Sequence, residues 1–196
     1  MTASGRSARG PAFWGGLFCV SMVLIGAARI FDAIDATTGF VAMAVVAGVC
    51  MPQAYRAATS AARRAGDSSD ALQAYNKRML AASLGYVVGL GMATLVYERV
   101  RLDTPGLALL ALLPAAPTLA MIRAMARYLL DETDEYLRYR TLLSSVIGLG
   151  FVLTLGSFWG FLETFGVVPH VWAWWVVPVF GVGMGLGQCG IAARGR

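Results

Sequence analysis

Long apolar stretches alternate with short polar ones along the whole chain. The apolar runs cover about residues 12–31, 37–55, 79–97, 106–126, 141–162 and 171–192. A helix needs roughly 17–25 mostly apolar residues to cross a bilayer, and each run approaches that length. Lipid offers backbone polar groups no partner, so only helices and closed barrels span it, and these runs lack the short period-2 alternation of barrel strands. The pattern predicts an all-α membrane protein, a polytopic bundle of about six transmembrane helices. Residues 1–55 read as an N-terminal transmembrane hairpin, 56–78 as a basic linker, and 79–196 as a four-helix core. The first span is the weakest of the six. Arg29, Asp32 and Asp35 crowd its outer end, where Arg29 and Asp32 stand at i and i+3 and can pair on a helix face. A four-span core with the hairpin laid against it is the variant of the six-span arrangement.

Composition strengthens the membrane reading. Apolar residues make up 58% of the 196 and charged ones 14%, with a mean hydropathy of +0.65, whereas soluble domains carry about 25% charged residues. The excess apolar surface must face lipid. A net charge of +5 in a soluble protein would raise nucleic acid as a partner. Here the basic residues cluster at the ends of apolar runs, so the bilayer is the expected partner and direct nucleic-acid binding is not expected.

Those same residues orient the chain, because Lys and Arg concentrate on the cytoplasmic side. With the N-terminus inside, thirteen of the sixteen Lys and Arg lie in inner segments, and only Arg29, Arg99 and Arg101 lie outside. Both termini are expected in the cytoplasm. Arg6 and Arg9 before the first run resemble the start of a signal peptide, but more spans follow and the run reads as a retained helix. In the linker, Gly66-Asp67-Ser68-Ser69-Asp70 should break any helix. Its basic residues, each contributing roughly 1 kcal/mol of attraction to an anionic leaflet, read as ordinary anchoring.

Special residues inside the runs come next. Pro114 and Pro117 each remove a backbone donor, so a kink is expected in the fourth span. A static kink is the plain reading, and a binding site for a carrier is the sharper one. Gly181/Gly185 and Gly183/Gly187, like Gly85/Gly89, form small-xxx-small pairs that let helices approach closely, within the monomer or across a homo-oligomer. Gly185-Leu186-Gly187-Gln188-Cys189-Gly190 fits a dinucleotide-binding wording, but it follows no strand. Trp172, Trp174 and Trp175 suit an interfacial aromatic belt. Cys19, Cys50 and Cys189 each lie in an apolar run without metal-site spacing and read as buried small hydrophobes.

Two polar segments remain as candidate chemistry. Residues 127–140 hold four of the eleven acidic residues. If 118–140 continue as one helix, Arg127, Asp131, Asp134 and Arg138 form a stripe ordered plus, minus, minus, plus, with Glu132 and Glu135 beside it. A self-paired solvated face, a docking surface for a cytoplasmic protein, and a carboxylate site for a cation or catalysis compete for this elbow. The outer loop from Trp159 to His170 holds the only histidine. A contact between Glu163 and His170 that closes the loop is the plain reading, and a proton-sensitive or ligand site the sharper one. No catalytic residue, metal site or cofactor is expected. Spans two to six carry no mid-span charge of the kind that marks ion paths, and the HExxH, GxSxG and P-loop wordings are missing.

Three stretches carry a resemblance. They are Arg127-Tyr128-Leu129-Leu130-Asp131-Glu132-Thr133-Asp134-Glu135-Tyr136-Leu137-Arg138, Trp159-Gly160-Phe161-Leu162-Glu163, and Phe165-Gly166-Val167-Val168-Pro169-His170. With the glycine-rich last span, they make residues 75–192 similar to a family of small, uncharacterised multi-span inner-membrane proteins of proteobacteria. The resemblance implies a four-span core in a bacterial inner membrane and no catalytic residues. Helix-turn-helix regulators encoded beside such proteins imply a cytoplasmic regulatory partner. The expected function is therefore a non-enzymatic accessory or regulatory protein engaging a partner through 127–140. The alternatives are a carrier or channel for a small neutral or lipidic substrate, and a structural subunit of a larger membrane complex.

Overall fold

The computed structural model describes residues 10–30, 33–66 and 69–194. These form six α-helices: α1 (Pro11–Ile30), α2 (Ala36–Ala65), α3 (Asp70–Arg99), α4 (Thr104–Asp131), α5 (Glu135–Thr164) and α6 (Val176–Arg194). A single 3-10 turn, Ala173–Trp175, precedes α6. Five helices are long and apolar enough to cross a membrane, and α1 is a shorter apolar helix. The protein is an all-helical, multi-span membrane protein. Large apolar side chains point outward along the helices, among them Val23, Leu109, Leu119 and Phe158, each at least 62% exposed. Water would not tolerate such a surface over so much of a chain; acyl chains do.

Helix boundaries follow local chemistry. The Asp35 carboxylate accepts from the Thr38 backbone N–H at 3.0 Å and caps α2. Gly66 ends α2 at φ 78°, a left-handed conformation that suits glycine, and its N–H reaches Ala62 O and Arg63 O. The Ser69 hydroxyl accepts from the Leu72 N–H at 3.0 Å and starts α3. Residues 56–65, expected in a linker, are therefore helical: an alanine-rich segment has no breaker before Gly66. The last candidate span runs from Ala173 to Ile191, so the 3-10 turn carrying Trp174 and Trp175 leads directly into α6, with Trp172 just before it. Asp32, expected to pair with Arg29, lies outside the described residues; Arg29 Nη1 donates to Ile34 O at 2.9 Å. Hydroxyls within the spans turn back on their own helix, as Thr94 does to Leu90 O and Ser145 to Thr141 O. That satisfies each one where no water is present.

Contacts gather the chain into two compact units, one ending at Leu130 and one beginning at Asp131. In the first unit, α1 packs on α2 and α2 on α3, with the Phe40 ring seated where a side chain at Gly91 would stand. At α3 and α4, Tyr75 and Tyr128 meet at 4.9 Å between ring centroids, around buried Ala124. Farther along, Gly89 lies so close to α4 that a Cβ there would come within 2.8 Å of the Leu113 carbonyl carbon. In the second unit, α5 and α6 pack through small residues on both helices, Ser144 and Gly148 against Gly183 and Gly187.

Candidate functional site

The elbow is not one helix. α4 stops at Asp131, residues 132–134 leave helical geometry, and α5 starts at Glu135. The cause is Asp134. Its Oδ1 accepts the backbone N–H groups of Tyr136 at 2.8 Å and Leu137 at 3.1 Å, capping α5. Glu132 is buried, and its Oε1 accepts the Asp134 N–H at 3.2 Å. The side chain of Asp134 is thus spent on the start of a helix instead of on an acid-first pair with Arg138. Among the described residues no ion pair joins Asp134 to Arg138. The predicted four-residue stripe does not exist as a single helix face.

Each expected elbow residue has a definite place. Asp131, Asp134, Glu135 and Arg138 are exposed, and Tyr136 and Tyr139 join them at 55% and 62% exposure. Glu132 is withdrawn from this surface by burial. Arg127 belongs to the first unit, where it lines a cavity with Arg78 and Arg123. What remains outward is a loop and first helical turn with three carboxylates, two phenol rings and one guanidinium. The carboxylates also suit the positive end of the α5 dipole.

The loop from Trp159 to His170 brings its expected residues together. His170 Nδ1 and Glu163 Oε1 lie 2.5 Å apart, and Trp159 Nε1 donates to Pro169 O at 3.3 Å. Gly166, at φ 72°, makes the turn between them, and His170 packs edge-on against Trp172 at 5.7 Å. His170 is solvent-exposed. Among the described residues no group of three or more His, Cys, Asp and Glu could hold a metal ion.

Pro114 and Pro117 lie inside a continuous α4. Lacking an N–H, Pro117 cannot bond the carbonyl of Leu113, four residues earlier, and it is this carbonyl that Gly89 approaches. A Cβ at Gly85 would stand in ordinary contact with Pro117, 3.6 Å from its Cγ. The glycine series of α6 divides by face. Gly183 and Gly187 abut α5, while a Cβ added at Gly181 or Gly185 would meet nothing within 4 Å. The three thiols are free, and only Cys50 is fully buried; Cys19 is partly so and Cys189 is exposed. An exposed Cys189 departs from the buried expectation because α6 turns that side away from α5.

Two features lay outside the sequence expectations. Ser144 and Gly148 are the partners of the α6 glycines, and their S-x-x-x-G spacing was the available signal. The arginine-lined cavity was signalled only by Arg123 and Arg127 standing four apart among alanines. Compared with models of protein families, with curated proteins and with solved structures, the chain matches none.

Proposed function

We propose that this multi-span membrane protein is a non-enzymatic accessory or regulatory protein of a bacterial inner membrane, engaging a cytoplasmic protein through residues 131–140. The observation that carries the reading is the exposed group of Asp131, Asp134, Glu135, Tyr136, Arg138 and Tyr139, from the last residue of α4 into α5. Carboxylates interleaved with exposed phenol rings fit a partner with a basic surface, since tyrosine supplies contact area at low entropy cost and the charges steer encounter. The distribution of Lys and Arg supports a cytoplasmic position for this segment and for both termini. The resemblance read from residues 127–138 and 159–170 alone implies the same location. Close packing of α3 on the Leu113–Pro114 backbone favours this reading over a carrier built around the kink.

The test removes charge without removing the cap. Asn caps a helix about as well as Asp, so the triple variant Asp131→Asn, Asp134→Asn, Glu135→Gln keeps the start of α5. Affinity purification from native membranes should recover a partner with the wild type and lose it with the variant, at equal membrane insertion. Recovery of the same partner from both refutes the reading.

A further inference from the structure

A cavity of about 330 Å³ opens between α3 and α4, lined by Arg78, Ala81, Ala82, Ala120, Arg123, Ala124 and Arg127. Helical spacing builds it. Positions 78, 81 and 82 share one face of α3, and 120, 123, 124 and 127 share one face of α4, as i, i+3, i+4 and i+7 neighbours do. Apart from the arginines every lining residue is alanine, so the two helices meet here across methyl groups and leave room between them. All three arginines are exposed. No lining residue is acidic, and among the described residues no carboxylate pairs with Arg123 or Arg127.

We infer that this cavity is a binding site for the phosphate of an anionic phospholipid, with Arg123 and Arg127 gripping the phosphate and the alanine wall taking the adjoining glycerol and acyl carbons. Arg123 and Arg127 are like charges four residues apart on α4, an arrangement that destabilises a helix. An anion between them removes that repulsion. The guanidinium fork matches phosphate oxygens two at a time, so arginine suits this role better than lysine. Depth also fits. Arg78 and Arg127 bracket the apolar parts of α3 and α4, and Arg123 lies about 6 Å farther in, one helical turn at 1.5 Å per residue. A cation at that depth, inside a candidate span, needs an anion or a route back to the interface. A lipid brings its phosphate to that level together with apolar atoms to cover the alanines. Free phosphate would have to shed water against methyl groups for no return. Basic pockets between spans are where anionic headgroups bind in membrane proteins.

The test uses the whole purified protein in mild detergent, with native mass spectrometry and titration by phosphatidylglycerol, phosphatidylcholine or inorganic phosphate. One equivalent of phosphatidylglycerol should be retained in preference to phosphatidylcholine. Each arginine contributes roughly 1 kcal/mol, about fivefold at 1.4 kcal/mol per tenfold, so Arg123→Gln/Arg127→Gln should weaken binding about 25-fold. Arg63→Gln/Arg64→Gln, on α2 outside the cavity, should leave it unchanged. Ala120→Leu, an exposed position that keeps every charge but fills the space, should also abolish retention. Equal retention of both lipids overturns the assignment. So does equal loss in the α2 variant, which would mean unspecific anchoring, and so does displacement of the lipid by inorganic phosphate at similar concentration, which would mean a site for the soluble anion.

Discussion

Replacing Gly89 by alanine is the sharpest probe of how α3 and α4 are held together. The added Cβ would lie 2.8 Å from the Leu113 carbonyl carbon and 3.3 Å from Pro114 N, and nearer still to Leu113 O. Carbon pairs prefer about 3.5–4.0 Å, so the intrusion is roughly 0.7–1.2 Å. All three atoms are backbone and none can rotate aside; the helices must part. Overpacking of that kind costs about 1–3 kcal/mol. Parting also weakens the approach of the Gly89 Cα–H to Leu113 O, a weak contact of about 0.5–1 kcal/mol. Alanine returns about 0.8–1.0 kcal/mol through its helix propensity, which leaves a net loss of roughly 0.5–3 kcal/mol. Gly85→Ala is the matched control. Its Cβ would meet Pro117 Cγ at 3.6 Å, ordinary contact, so that change should be neutral or slightly stabilising. Unfolding by sodium dodecyl sulfate from mild detergent, followed by far-UV circular dichroism, ranks the variants. If Gly89→Ala is as stable as the wild type, or Gly85→Ala falls as far, the close approach of α3 to the proline segment does not exist.

Other substitutions test the remaining contacts. Asp134→Ala should cost about 0.5–2 kcal/mol and Asp134→Asn almost nothing, read as loss or retention of amide protection at Tyr136 and Leu137 by hydrogen exchange; equal protection in both would exclude the cap. Gly183→Ala would put a Cβ 2.7 Å from Phe151 Cβ and 3.0 Å from Gly148 Cα, so it should lower stability by about 1–3 kcal/mol, whereas Gly181→Ala, which meets nothing, should not; the same detergent unfolding decides. The hydroxyl of Thr38, and then its backbone N–H, hold the Asp35 carboxyl below its ordinary value of 3.8. A lowered folded value means the cap contributes fully above pH 3.8 and is lost as pH falls through the lower folded value. The Thr38 amide resonance should therefore titrate with a midpoint below 3.8, and a midpoint at or above it would remove the cap.

The helices were legible because an apolar run long enough for a bilayer has few other uses, and helix is the backbone's simplest way to satisfy itself there. The ends were harder. Asp134 stands in a sequence that scans equally well as a charged helix face and as a cap, and the choice turns on whether its carboxylate meets neighbouring amides or Arg138. No pattern along Arg127–Arg138 separates those outcomes. The burial of Glu132 was likewise invisible, since a glutamate among other acids reads as solvated. On α6 the glycines are identical as letters. Only the presence of Ser144 and Gly148 on the facing side of α5 decides that Gly183 and Gly187 are seated while Gly181 and Gly185 are not. The arginine cavity needs the register of α3 against α4, and Gly89 and the prolines farther along the same two helices fix that register.

The two glycine faces of α6 have a practical corollary. At about 100° per residue, Gly181 and Gly185 look away from the side carrying Gly183 and Gly187, so a probe attached there has room and disturbs no neighbour. With Cys19, Cys50 and Cys189 replaced by serine or alanine, a cysteine introduced at Gly185 becomes an attachment point for a spin label or fluorophore. Such a reporter would register the acyl environment and any approach of a second polypeptide, while the helix pair beneath it kept its native spacing.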